Sequence, residues 1–189
     1  MMRVVLASES EFRRRAMDLL GIAYEVYPSA IDEKAIRDED PRELTLKLAE
    51  TKAWMIASEC PDAVIVAGDA VASKDDKILE KPRDKGEAAQ FLRQLSGSTF
   101  QFVTSLVVLD WQSGKMLSTV EASEISFREL VEREIDAYIG KYDVLRYAGA
   151  FECDAVLLFA DRIAGSYNFV TALPVSRLIV FLREFGVDV

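Results

Sequence analysis

Short apolar runs alternate along this chain with segments of helical period, and that alternation limits the fold more than any other feature. Runs of four to six apolar residues are too short for helices and read as buried strands. The first, Val4-Val5-Leu6, enters a Ser8-x-Ser10 turn, and a helix opens at Ser10. Ser is a favoured N-cap, Ala16, Leu19 and Leu20 supply an apolar face, and Gly21 ends the helix. Further strands are predicted at 23–27, 63–67, 78–79, 100–110, 116–127 and 155–159. Helices are predicted at 86–95, 131–142 and 174–185, the last with Leu178, Ile179 and Leu182 facing inward. Another starts at Asp40-Pro41, an N-cap followed by proline at the first helical position, with Leu44, Leu48, Lys52 and Met55 along one side. Gln112-Ser113-Gly114-Lys115 signals a hairpin, and Asp76-Lys77 a turn. Strands alternating with helices predict an α/β fold: one elongated domain over residues 1–189, a mixed twisted sheet flanked by helices, with a central cleft.

Composition narrows the chemistry. The chain has 189 residues and no histidine, which excludes Ser-His-Asp and Cys-His catalysis and histidine–zinc sites. A formal net charge of −9 argues against general binding to nucleic acid or anionic membranes. A polyphosphate would therefore need a local basic pocket, with a metal ion carrying part of the charge. Cys60 and Cys153 fit no zinc or redox spacing and are predicted to be free thiols. No apolar run approaches the ~20 residues that span a bilayer, and the N-terminus lacks a signal-peptide core. These features predict a soluble, cytoplasmic protein.

Four clusters could carry chemistry if the strand ends line one cleft. Arg13, Arg14 and Arg15 sit in the first turns of a helix, where the macrodipole already places positive charge. With Ser8 and Ser10 they form either a phosphate site or a solvated basic face. Asp32-Glu33 are adjacent loop carboxylates, suited to magnesium or to a solvated acidic turn. Lys52 shares a face with Leu48 and Met55 and either snorkels to solvent or reaches into the cleft. Asp69 follows Ile65-Val66-Ala67-Gly68, and a carboxylate ending a buried strand is costly to desolvate without a cation or a proton to manage. Gly68 would let a ligand approach the backbone. Lys81, in Glu80-Lys81-Pro82, adds a cation on extended backbone. Together these are the parts for phosphoanhydride hydrolysis, in a chain without a P-loop.

The same segments resemble the Maf-like nucleoside triphosphate pyrophosphatases along essentially the whole chain. The matching pieces are Leu6-Ala7-Ser8-Glu9-Ser10-Glu11-Phe12-Arg13-Arg14, Ile31-Asp32-Glu33, Leu48-Ala49-Glu50-Thr51-Lys52-Ala53, Gly68-Asp69, Leu79-Glu80-Lys81-Pro82-Arg83-Asp84, Leu95-Ser96-Gly97, Ala148-Gly149-Ala150-Phe151 and Leu173-Pro174. The resemblance implies cleavage of a nucleoside triphosphate to monophosphate and pyrophosphate, dependent on a divalent metal, magnesium first and manganese second. It also implies a cytoplasmic protein, commonly a homodimer, with a role in cell division suggested for the family. By the same resemblance Ser8, Ser10, Arg13, Lys52 and Lys81 would handle the phosphates. Glu33 and Asp69 would bind metal, and Asp69 would accept the proton of the attacking water. The departures fall where the base would be read: Glu11 replaces a proline, Phe12 an arginine, Ala70 a threonine, Asp154 a glutamine and Ala155 a glycine. An aromatic Phe12 and an acidic Asp154 resemble the subgroup associated with 7-methyl-GTP, where a ring attracts the cationic base and a carboxylate accepts its N–H groups. The alternatives are a dTTP/UTP pyrophosphatase and a nucleotide-binding regulator.

Overall fold

A computed structural model describes residues 2–75, 77–153 and 155–189. In chain order the elements begin with β1 (Arg3–Leu6), α1 (Glu11–Leu20), β2 (Glu25–Val26), α2 (Pro41–Glu59), β3 (Ala63–Ala67), β4 (Ala70–Lys74) and β5 (Lys77–Leu79). They continue with α3 (Lys85–Leu95), β6 (Thr99–Asp110), β7 (Met116–Phe127), α4 (Glu132–Lys141), α5 (Val156–Phe159), β8 (Ala160–Gly165) and α6 (Val175–Glu184). One mixed sheet runs β2-β1-β3-β6-β4-β5, and β7 and β8 extend it from the other edge of β6. The predicted α/β class and flanking helices are what the chain adopts.

β6 is the backbone of this sheet. Its C-terminal half pairs antiparallel with β3, from Ala67↔Val107 to Val64↔Asp110, and its N-terminal half with β4, from Ala70↔Thr104 to Ser73↔Gln101. β3 and β4 thus lie end to end along one edge of β6, interrupted only at Gly68-Asp69. Alternation of side chains sends the two faces of the β1–β3–β6 half to different helices. Val4, Leu6, Val66 and Val108 pack with α1 and α6. Val5, Ile65, Ala67 and Val107 pack with Ala49, Ala53 and Ile56 of α2. Around the other half, Phe100, Phe127 and Phe151 form an edge-to-face cluster with centroids 4.9–5.6 Å apart, covered by α3 and α4. Ser10 and Asp40 cap their helices as expected, each accepting from a backbone N–H. Both cysteines are buried and neither forms a disulfide. No described helix is long and apolar enough to cross a membrane.

Four details differ from the sequence-based expectation. The strand predicted at 23–27 shrinks to the exposed edge pair Glu25–Val26. Strand β4 was not anticipated, because Ala70-Val71-Ala72-Ser73 carries little apolar bulk; β6 supplies the partner that makes it a strand. The strand predicted at 155–159 is the helical turn α5, and the strand β8 begins only at Ala160. Val156 and Phe159 are buried whereas Leu157 and Leu158 face outward, a spacing of three that belongs to a helix. Ile179, expected to face inward, is only half-buried, as is Met55 beside Lys52. Of the predicted 76–77 turn, Asp76 lies outside the described residues.

The N-cap of α4 is Val131, which has no capping side chain, and Glu134 compensates. Its carboxylate accepts from the Val131 N–H at 3.1 Å and forms a two-pronged pair with Arg128 at 2.7 and 2.9 Å. The Arg128 hydrogen bonds, followed by that backbone bond, hold the Glu134 carboxyl down at about 2. A depressed carboxyl stabilises the fold above its unfolded value and loses that contribution as pH falls through the folded one. Glu134→Gln should therefore lower Tm near neutral pH, and the difference from wild type should vanish between about pH 4.5 and about pH 2 in thermal melts.

Candidate active site

The expected clusters converge on one cavity of about 750 Å³ between the ends of β1 and β3, the first turn of α1, and the 145–153 segment. Ser8, Ser10, Phe12, Arg13, Glu33, Lys52, Asp69, Ala70 and Lys81 all line it. A larger groove of about 1020 Å³ lies beside Asp38–Arg42 and Lys74. It contains none of these residues; Arg37, Leu44 and Glu80 border both, Arg37 and Glu80 as an ion pair at 3.3 Å.

Asp69 owes its place to the interruption between β3 and β4. Outside the ladder its N–H would lack a partner, and the buried Ser105 hydroxyl accepts it at 3.1 Å, while the Ser105 N–H returns a bond to the Asp69 carbonyl at 2.9 Å. The carboxylate, on a residue only 8 % exposed, meets Lys52 Nζ at 2.6 Å. Lys52 does not snorkel. It is 5 % exposed, projects from the inner face of α2, and its ammonium also holds Glu33 Oε1 at 2.7 Å. Lys81 Nζ lies 3.6 Å from the other Glu33 oxygen. Burial pushes the Glu33 carboxyl up, but the charge and hydrogen bond of Lys52, with Lys81 and Arg13 beyond, outweigh it and hold it below the usual carboxylate range.

Across the cavity, Ser10 N–H and Arg13 Nη1 both donate to Ser8 Oγ, at 3.2 and 3.1 Å. Arg13 Nε donates to the Ala172 carbonyl at 3.3 Å. Of the three expected arginines only Arg13 turns inward, being 9 % exposed; Arg14 and Arg15 are exposed. Asp32 also leaves the set. It is exposed and accepts from Lys34 N–H at 3.1 Å, capping the short 3₁₀ turn Glu33–Ala35, so the acidic pair is divided between a structural cap and the cavity.

Buried ion pairs of this kind are weak stabilisers, since two desolvated charges offset most of their attraction. Two carboxylates and two lysines meeting at a cavity wall, with an arginine and a helix N-terminus opposite, instead match an anionic ligand and a divalent cation. Among the described residues no group of three or more carboxylates or thiols is placed to cage a metal. Magnesium needs no such cage: it is held by one or two carboxylates and completed by substrate phosphates and water. Glu33 and Asp69, whose oxygens converge on a single ammonium, fit that pattern.

Residues 3–185 match the family described as Maf-like protein. The chain belongs to that family. Similar proteins named dTTP/UTP pyrophosphatase occur in Bacillus anthracis (strain CDC 684 / NRRL 3495) and Bacillus cereus (strain ZK / E33L). Each is 32% identical over 190 residues, which span 100% of this chain and 98% of the relative.

Where this Maf-like chain departs from the family pattern, the geometry is informative. Phe12 is half-buried, packs against the aromatic core, and meets Tyr147 edge-on at 5.8 Å and 66°. Ala70, the first residue of β4, contributes only a methyl group to the wall. Asp154, the expected reader of the base, lies outside the described residues. Sequence reasoning missed Tyr147, Ser105 and Ala172. Tyr147 adjoins the Ala-Gly-Ala motif and could have been noticed; Ser105 and Ala172 matter only through contacts across 36 and 159 residues.

Gly68 has a different purpose from the expected backbone approach of a ligand. A Cβ there would stand 2.4 Å from Leu173 Cδ2 and 2.6 Å from the Ser105 carbonyl oxygen. The close approach is made by the protein's own core, one residue from Asp69. Gly68→Ala should destabilise by about 1–3 kcal/mol, as overpacking does, and should displace Asp69. Chemical denaturation checks the first effect; loss of activity at temperatures where the variant remains folded checks the second.

Proposed function

We propose that this Maf-like chain hydrolyses the α–β phosphoanhydride of a pyrimidine nucleoside triphosphate, dTTP or UTP, releasing the monophosphate and pyrophosphate. Family membership makes it a hydrolase of the nucleoside triphosphate pyrophosphatase class. The observation that carries the reading is the buried Lys52 ammonium shared by Asp69 and Glu33 at 2.6 and 2.7 Å, facing Arg13 across a nucleotide-sized cavity.

In this reading Arg13, Ser8 and the first N–H groups of α1 bind phosphate oxygens, and Lys81 neutralises those nearer the cavity mouth. Lys52 pairs with Asp69 and Glu33 and orients both carboxylates. Asp69 accepts the proton of the attacking water at a carboxylate oxygen. Glu33 and Asp69 would also hold the divalent metal, magnesium first, which when bound supplies Lewis-acid stabilisation of charge growing on the phosphates. A cytoplasmic homodimer is part of the same proposal.

The base assignment favours pyrimidine over 7-methyl-GTP. The 7-methyl-GTP expectation needed Phe12 and Asp154 together, and among the described residues only Phe12 speaks to it. Its ring packs edge-on against Tyr147 and core side chains rather than standing as a free stacking surface. The full-length relatives named dTTP/UTP pyrophosphatase support the other choice.

A pyrophosphate-release assay with magnesium tests both levels. dTTP and UTP should outrank 7-methyl-GTP in kcat/KM, and diphosphate with orthophosphate as main products would refute α–β cleavage. Asp69→Asn should retain the fold and lower kcat by ~10²–10⁴, the usual contribution of a general base. Phe12→Ala should reduce kcat/KM for dTTP and 7-methyl-GTP in parallel; a selective loss on 7-methyl-GTP would restore the methylated-guanine reading.

A further inference from the structure

Of residues 166–173 only Ala172 lines the cavity, and the segment behind it is fastened by buried polar side chains that take no part in the chemistry. Asn168 is 4 % exposed, and Thr104 and Ser123 are fully buried. The Asn168 amide donates through Nδ2 to Thr104 Oγ1. Ser123 Oγ lies 2.9 Å from Asn168 Oδ1 and 2.5 Å from the Ser166 carbonyl, so its hydrogen is shared between the two acceptors. Thr171 N–H then bonds the Asn168 carbonyl at 3.2 Å, and Thr171 Oγ1 donates to the Leu173 carbonyl at 2.9 Å. Each of these buried polar atoms has a hydrogen-bond partner, and a network of this kind fixes one backbone path.

That path delivers two contacts to the site. Leu173 occupies the space that a side chain at Gly68 would need. The Ala172 carbonyl accepts Arg13 Nε. Ala172 reaches this position at φ +51, a left-handed conformation unfavourable for any residue bearing a Cβ. Strain of this sort persists only where surrounding contacts over-determine it, and here the Asn168 network precedes it and Pro174 follows. With Nε on Ala172 and Nη1 on Ser8, the guanidinium is locked in orientation before any anion arrives. An arginine already ordered loses less freedom on binding phosphate.

We propose that Asn168 is a positioning residue for Arg13, acting through the backbone of 166–173 to orient the guanidinium toward the phosphates. The proposal rests on the reading of Arg13 as a phosphate ligand, and deepens it by assigning the source of its orientation. Asn168 touches neither the cavity nor any residue assigned a chemical role.

A double-mutant cycle decides it, with inorganic tripolyphosphate plus magnesium as the binding probe in calorimetry. Asn168→Ala should weaken tripolyphosphate binding ~5-fold or more, and in an Arg13→Ala background the same change should alter it by less than ~2-fold. Thr104→Val removes the anchoring hydroxyl at nearly constant volume, and should behave alike if Asn168→Ala does not fold. In hydrolysis of dTTP both variants should raise KM with little change in kcat, a split that general loosening would not produce. An unchanged affinity in Asn168→Ala and Thr104→Val, an equal loss with and without Arg13, or no tripolyphosphate binding by the wild type overturns the proposal. Wild-type protein that binds tripolyphosphate yet hydrolyses no nucleotide refutes the proposed function and leaves the cycle to decide the positioning.

Discussion

The pairing of one long strand with two shorter ones arranged end to end underlies both the fold and the site. β6 offers a continuous row of backbone donors and acceptors, and β3 and β4 share it, with Gly68-Asp69 falling in the gap. A residue in such a gap lacks a regular ladder partner for its N–H, and the Ser105 hydroxyl supplies one while the Ser105 N–H serves the Asp69 carbonyl. The gap also frees the Asp69 side chain from the strict in-and-out alternation of a strand. A carboxylate can then turn toward α2 while the apolar residues on either side remain in the two core faces.

Electrostatics completes what the gap begins. Lys52 and Asp69 are both nearly buried, and each would be unfavourable without the other. Glu33 arrives from a loop more than 30 residues from Asp69 in sequence and completes the shell of the same ammonium. The cluster is therefore poised rather than maximally stabilising. Its charges hold one another in place, and in the proposed function they would exchange part of that attraction for phosphate and a divalent cation. On the opposite wall the same economy applies to Arg13, whose donors are divided between protein acceptors and the open cavity.

Much of this was legible in the chain. Ser10 and Asp40 announced their helices because caps are local chemistry, and the 100–110 and 116–127 strands were visible through the Gln112-Ser113-Gly114-Lys115 hairpin signal that joins them. Lys52 and Asp69 stood out as charges set among apolar neighbours. The errors also had local causes. Ala155-Val156-Leu157-Leu158-Phe159 is apolar throughout, and five apolar residues do not reveal whether a helix or a strand will bury them. β4 lacked bulk, and Asp32 could not be told from Glu33 by residue type, since only the 3₁₀ turn directs one outward and the other inward.

What the sequence by itself determined is the set of elements whose signals lie within a few residues: caps, periodicity, the hairpin, the absence of histidine and the ordered motifs of the Maf-like family. What only the tertiary structure decided is which charges meet. Lys52 choosing the cavity over solvent, Gly68 yielding to Leu173, and Arg13 resting on Ala172 are contacts between residues 17 to 159 positions apart. Their energies depend on distance and desolvation, and a chain acquires both only when β6 has brought β3, β4 and the helices together.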